Sequence, residues 1–472
     1  MQRRSMSRRE FLLSMGAGVG MLSFSPLLRT GVAAAKQSDS PNIIFIFTDD
    51  QRWDALGCAG NPIIQTPQMD TLAARGVRFD YAFVTTPICA ASRASAFTGM
   101  YERTHGYTFG TPPLAQPYID ISYPRVLRNA GYQTGFVGKL GVNMVKGAED
   151  SMFDWYENLH RTPYFKEVDG KEKHLTDITT DAAMGFIRDS RREQPFCLSI
   201  SYNAPHAEDN DPRQWIPPHY TDNLYQDVVI PPPLNGDDAF FYSQPLYLQN
   251  SLNRTRWYWK FDTPEKYQEM VKDYYRMITA IDMNIERLRN LLEKQNMADN
   301  TVIILMGDNG YFLGERGFAG KWLMYEPSIR VPLIVYDPRL PEQQRGRVSG
   351  KFALNIDLSP TMLDLAGVNI PQPIQGASLV PLMQGEQPNW RDFVFTEHLF
   401  ERADIPQSEG IRTDRWKYLR YRHQVDSEEL YDLSVDPHET RNLAWRQTYQ
   451  EPLVKLRQQC DTMIKQLESE KL

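Results

Sequence analysis

The chain has 472 residues, of which 41% are hydrophobic and 24% charged, a composition that fits a large globular core plus a smaller one and excludes a fibrous or disordered protein. Net charge is −7; the first 35 residues hold five Arg and one Glu, so the remainder stands at −11, which argues against nucleic-acid binding and requires an anionic substrate to meet cations gathered in a pocket. The four cysteines, Cys58, Cys89, Cys197 and Cys460, match neither a zinc spacing nor a dense disulfide framework.

Along the chain, Ser7-Arg8-Arg9-Glu10-Phe11-Leu12 precedes an apolar run that ends at Ala33-Ala34-Ala35. This resembles a twin-arginine signal peptide over 1–35, implying a periplasmic or secreted protein passed folded through the twin-arginine export machinery. No later segment is apolar enough to span a bilayer. Short apolar runs at 42–48, 134–137, 196–201, 301–306 and 331–336 read as buried parallel strands. Between them, 66–75 with Gly76 behind reads as a helix, and Met277, Ile281, Ile285, Leu288 and Leu292 mark one face of a long helix. The alternation predicts an α/β fold with a large, mostly parallel sheet sandwiched by helices over 36–387. The stretch 205–264, rich in Pro, Asp and aromatics, reads as a long excursion over the site. From 388 to 472 the texture changes to short strands at 392–397, 416–422 and 429–433 and a last helix at 450–470, predicting a small α+β subdomain with an antiparallel sheet.

Chemistry-bearing residues follow the strands. Asp49-Asp50, Gly138-Lys139, His206 and Asp308-Asn309 each come directly or shortly after a strand end, the edge where α/β proteins place their sites. Alone, the Asp pair reads equally as a turn, Asn309-Gly310 as a hairpin, and Cys89 as a small buried residue ahead of a helix. Two oxygen-rich clusters at one edge can also wrap a hard cation, calcium first and magnesium second.

In order, Pro41-Asn42-Ile43-Ile44 to Asp49-Asp50, the Cys89-x-x-Ser92-Arg93 signature, Gly138-Lys139, Ala204-Pro205-His206, Gly307-Asp308-Asn309-Gly310, Gly320-Lys321, Arg330-Val331-Pro332 and the tail from Glu429-Leu430-Tyr431-Asp432 to Asn442-Leu443-Ala444 resemble the formylglycine-dependent sulfatase family of the alkaline phosphatase superfamily. The resemblance implies that Asp49, Asp50, Asp308 and Asn309 ligate a metal. It implies that a maturation enzyme converts Cys89 to a formylglycine whose hydrate also touches that metal. Arg93 would hold the hydrate, Lys139 and Lys321 would bind sulfate oxygens, and His206 would stand at the leaving oxygen. One hydroxyl of the hydrate would attack sulfur, the alcohol leaving with a proton from His206 or Lys321; deprotonation of the second hydroxyl would expel sulfate. Two positions depart from the family pattern: Ala91 stands where proline is usual, and Gly141 where a histidine is frequent, with His105 a candidate replacement.

For substrate, Arg254, Arg256 and Trp257, with His398 and Arg412, mix cations and aromatics in segments read as loops and point to a sulfated carbohydrate or polysaccharide fragment. The alternatives are a phosphoryl or phosphonate ester hydrolase of the same superfamily and a non-catalytic binder of sulfated glycans.

Overall fold

The computed structural model describes residues 40–472, so the signal-peptide reading of 1–35 lies outside the described residues. An eight-stranded sheet runs in the order Arg347–Ser349, Val77–Phe79, Leu333–Tyr336, Thr301–Gly307, Asn42–Thr48, Phe196–Ser201, Gln133–Gly138, Trp155–Asn158. The last five of these are mutually parallel.

Side-chain alternation on the central strand shows why the sheet needs cover on both faces. Ile43, Phe45 and Phe47 enter one core with Ala90, Ala94 and Phe97 of helix Cys89–Thr98, and with Tyr123 and Met362. Ile44 and Ile46 enter the opposite core with Met69 and Leu72 of helix Pro67–Arg75, Leu175 and Ile187, and Ile278, Ile281 and Ile285 of helix Pro264–Lys294. The Thr263 side chain accepts from the Lys266 N–H and caps that 31-residue helix.

One strand differs from the sequence expectation. The 331–336 run forms Leu333–Tyr336, but it is antiparallel to both Thr301–Gly307 and Val77–Phe79. A parallel return needs a crossover that carries the chain back to the amino edge. Here residues 308–332 form only the short hairpin of Phe312–Leu313 with Ala319–Gly320, the 3-10 turn Glu315–Gly317 and the one-turn helix Glu326–Ile329, so the chain re-enters the sheet from the side it left.

Beyond it, Phe393–His398, Ser408–Thr413, Trp416–Tyr421 and Glu428–Asp432 form an antiparallel sheet covered by helix Gln450–Ser469 through Leu453, Leu456, Cys460 and Leu467. Among the described residues no helix is long and apolar enough to cross a membrane.

Gly138 ends its strand with φ +105°, and a Cβ there would stand 2.0 Å from the Ser201 carbonyl oxygen, a backbone atom that cannot yield. Gly138→Ala is therefore expected to lower unfolding stability by roughly 2–4 kcal/mol in a chemical denaturation curve. A change below about 0.5 kcal/mol would contradict this close approach.

Candidate active site

The carboxyl edge of the parallel strands gathers what the sequence scatters over 270 residues. The Asp49 N–H donates to the Ala204 carbonyl at 3.2 Å, Asp308 N–H to Thr48 at 2.9 Å, and Lys139 N–H to Ser201 at 2.9 Å, so the loops are stitched to one another by backbone. Asp50 takes a left-handed φ of +67°, and its N–H donates to Asp308 Oδ1 at 3.1 Å. Ligating atoms of Asp49, Cys89 and Asp308 lie within 4.8 Å of one another, and so do those of Asp49, Asp50 and His206. Cys89 opens the ten-residue helix Cys89–Thr98, whose N-terminal backbone N–H groups favour negative charge at that end.

Three cations interleave with the three acids. Arg93, on the same helix, donates from Nε to Asp308 Oδ2 at 2.8 Å and from Nη1 to the Lys139 carbonyl at 2.6 Å and to Ser201 Oγ. Its Nη2 stands 3.8 Å from Asp49 Oδ2. Lys139 Nζ pairs with Asp49, and Lys321 Nζ pairs with Asp50 and stands 3.6 Å from Asp49 Oδ1. Burial by itself would raise the Asp49 carboxyl, but Lys139, Lys321 and Arg93 together hold it well below the usual carboxylate range. Asp308 goes the other way, to about 6, because burial and the neighbouring Asp49 charge outweigh Arg93. Lys321 is raised: burial opposes its charge, yet the surrounding acids prevail, so it stays a protonated donor.

Among the described residues, Asp49 Oδ1, Asp50 Oδ2, Asn309 Oδ1 and Arg93 Nη2 are buried without a hydrogen-bond partner. Two carboxylate oxygens and an amide oxygen left bare in a dry interior are costly unless a cation takes them. The donor set, all oxygen, fits calcium and, with tighter geometry, magnesium.

His206 directs Nδ1–H to the Ala207 carbonyl at 2.6 Å, leaving Nε2 as an acceptor 3.5 Å from Arg161 Nη1 and 3.7 Å from Asp50 Oδ2. Burial pushes its pKa down to about 3, so the ring is neutral near pH 7 and offers an acceptor.

The remaining sequence candidates divide. Arg256 and Trp322, beside Lys321, stand at the site, the guanidinium 4.9 Å from the indole centroid. Arg254 and Trp257 do not lie on a loop: they belong to helix Leu252–Lys260, where the Arg254 guanidinium is enclosed by the rings of Phe241, Trp257 and Tyr258 at 3.8, 3.9 and 4.6 Å. His398 and Arg412 likewise sit on paired strands rather than loops. Arg412 lies against Tyr81, Phe83 and Phe352 with Nε 3.5 Å from Glu326, and His398 is wholly buried opposite Ser408. His105 spends both ring nitrogens locally, Nε2 with Ser95 Oγ at 3.1 Å and Nδ1 accepting from the Tyr107 N–H at 3.1 Å, so it has none to offer a substrate.

The two departures acquire a physical setting. Gly141 has φ +70°, and a Cβ there would come within 3.0 Å of Arg93 Cδ, so a histidine on this backbone would be strained and would press on Arg93. Ala91 is fully buried and packs with Ile88, Leu252, Trp322 and Ile405. Sequence reasoning missed Ser201, which receives Arg93, and Asp209, which pairs with Arg256 at 2.6 Å. Their positions, at the end of a strand and three residues after His206, are the signals that could have marked them.

Residues 41–368 match the family described as Sulfatase, and residues 314–466 match the family described as N-sulphoglucosamine sulphohydrolase, C-terminal. An N-acetylglucosamine-6-O-sulfatase of Bacteroides thetaiotaomicron is 30% identical over 91% of this chain and 87% of its own. An arylsulfatase of Clostridium perfringens is 29% identical over 91% of this chain and 94% of its own. Among solved structures, one in complex with its substrate D-glucosamine-2-N,6-O-disulfate superposes with a TM-score of 0.77 at 29% identity, covering 91% of this chain and 98% of that one. A phosphonate monoester hydrolase of Agrobacterium radiobacter superposes with a TM-score of 0.75 at 21% identity, over 90% of this chain and 96% of that one, a likeness of fold alone.

Proposed function

Because the chain belongs to the sulfatase family and is a sulfuric ester hydrolase, we propose that it desulfates a sugar, alone or in a polysaccharide fragment, using residue 89 as an enzymatically matured formylglycine and a calcium ion held by Asp49, Asp50, Asp308 and Asn309. The observation that carries this reading is the convergence of bare buried oxygens from the Asp49 and Asp308 loops beside Cys89.

When present, the hydrated aldehyde supplies a hydroxyl nucleophile and a second hydroxyl through which sulfate can depart, and the cation supplies charge against the sulfate oxygens. The chain's own residues do the rest. Arg93 Nη2, free of hydrogen bonds, is the donor that can hold an oxygen at residue 89. Lys139 and Lys321 oppose the negative charge that otherwise repels an incoming nucleophile. Lys321, protonated and rigidly placed, is the proton donor to the leaving oxygen; His206, neutral and with Nε2 turned toward Arg161 and Asp50, accepts a hydrogen bond and orients the alcohol. Maturation of Cys89 and export through 1–35 by the twin-arginine machinery to the periplasm or beyond complete the proposal, with 36–387 as catalytic domain and 388–472 as C-terminal subdomain.

The deciding experiment is peptide mass analysis across residue 89, paired with sulfate release from hexosamine sulfates. Active protein that carries only a thiol at Cys89 sinks the mechanism. Chelator treatment is expected to reduce turnover by roughly 10³-fold, with calcium restoring it better than magnesium. Full activity after exhaustive chelation would remove the metal from the reading. The likeness of fold to a phosphonate hydrolase keeps one rival in view, and aryl sulfate turned over more slowly than aryl phosphate or phosphonate would favour it. Saturable binding of sulfated glycan with no sulfate release, by protein shown to be matured, would favour a binding relative.

A further inference from the structure

Beside His206 and Lys321, an ion pair joins the loop after His206 to helix Leu252–Lys260. Asp209 Oδ2 accepts from Arg256 Nη2 at 2.6 Å. Arg256 is 8% exposed, its Cδ borders Gly320, and its guanidinium lies on Trp322, the residue after Lys321. The Tyr311 hydroxyl also lies beside the Arg256 guanidinium, and Asp50 is close enough for the two charges to interact. Among the described residues, Arg256 Nε and Nη1 and Asp209 Oδ1 are buried without a hydrogen-bond partner. Two N–H donors and one carboxylate acceptor thus wait side by side, next to an indole ring and two residues already assigned to the leaving oxygen.

We propose that Arg256 and Asp209 recognise the uncharged sugar hydroxyl nearest the sulfate ester, which is O4 where the ester is at O6, and reject a second sulfate at that position. The inference rests on the sugar-sulfate reading above and adds the substrate class: a hexose unit free of sulfate at the hydroxyl nearest the ester. A hydroxyl both accepts and donates, so it satisfies the Arg256 N–H groups and Asp209 Oδ1 together. A sulfate only accepts. It would set its oxygens against Asp209 Oδ1, while the Arg256 charge is already neutralised by the same carboxylate. A site with buried donors and acceptors discriminates strongly against a ligand that leaves them unpaired, and Trp322 offers an apolar face for the ring beside them.

The test uses matured full-length protein as wild type, Arg256→Met and Asp209→Asn. Substrates are 4-nitrophenyl sulfate, the best of the hexosamine 3-, 4- and 6-sulfates, and the deoxy and disulfated analogues of that sugar at the nearest ring hydroxyl (C4 for a 3- or 6-sulfate, C3 for a 4-sulfate). In Arg256→Met the ratio of kcat/KM for the sugar sulfate to that for the aryl sulfate is expected to fall about 30-fold or more. In Asp209→Asn the preference for monosulfated over disulfated sugar is expected to shrink at least about 10-fold. Equal losses on both substrates would show that the pair only braces the two loops, and unchanged ratios would show that it meets no substrate; either overturns the proposal. If a variant fails to fold, wild type decides: less than about 3-fold discrimination against the deoxy sugar overturns it. Sugar turnover insensitive to these changes sinks the pair alone, whereas aryl sulfate turnover with no hexosamine sulfate turnover sinks the sugar reading as well.

Discussion

Cys89→Ala loses sulfate-ester turnover by roughly 10⁴-fold or more while the protein still folds, the scale of loss seen when an enzyme is deprived of its nucleophile. The structural cost is small because Cys89 contributes only a thiol to a helix start whose neighbours Ala90 and Ala91 already pack as alanines. Removing one buried sulfur costs about 1 kcal/mol. Cys89 also makes no disulfide among the described residues, so no cross-link is lost. What disappears is the atom placed within 4.8 Å of ligating oxygens of Asp49 and Asp308. The variant is measured on an aryl sulfate against wild type, with circular dichroism and thermal unfolding as the control for fold. Retention of more than a few per cent of wild-type turnover in a folded variant overturns covalent catalysis at this position.

The parts of this site legible in sequence are those tied to local pattern. A buried strand reads from a run such as Ile43-Ile44-Phe45-Ile46-Phe47, and in a parallel sheet whatever follows it lands on one edge, so Asp49, Lys139, His206 and Asp308 could be placed near one another from spacing alone. The direction of Leu333–Tyr336 could not be read that way, since an apolar run has the same composition whichever way it pairs. Arg412 and Arg254 illustrate the second limit. An arginine among aromatics reads as a sugar-binding loop, but the same residues serve a buried cation stacked in an apolar wall, and only partners distant in sequence, Glu326 and Phe83 for Arg412 or Phe241 for Arg254, separate the two. Helix Leu252–Lys260 escaped notice because two arginines, two tryptophans and a tyrosine within nine residues mask a helical periodicity that burial of Leu252, Asn253, Arg256 and Lys260 makes plain.

Arg93 carries the second large effect, and its substitution separates charge from geometry. Four chain segments meet on its guanidinium: Asp308 through Nε, Lys139 and Ser201 through Nη1, and Asp49 within reach of Nη2. Arg93→Ala leaves two buried carboxylates short of a partner, and breaking one side of a buried ion pair costs about 3–5 kcal/mol. The direction of the accompanying titration follows from the sign of the charge removed. Arg93 lowers Asp308, so without it the carboxyl binds protons more tightly and competes less well for the cation of the proposed metal site. Turnover is therefore expected to fall by roughly 10³-fold or more, since donors aimed at developing negative charge are each worth ~10²–10³. Arg93→Lys restores the charge but not the fork: a single ammonium cannot hold the Asp308 carboxylate, the Lys139 carbonyl and Ser201 at once. It should recover most of the stability in a denaturant titration and little of the kcat. Recovery of both in Arg93→Lys would mean that charge alone suffices, and that the fixed geometry of the guanidinium plays no part in holding the oxygen at residue 89.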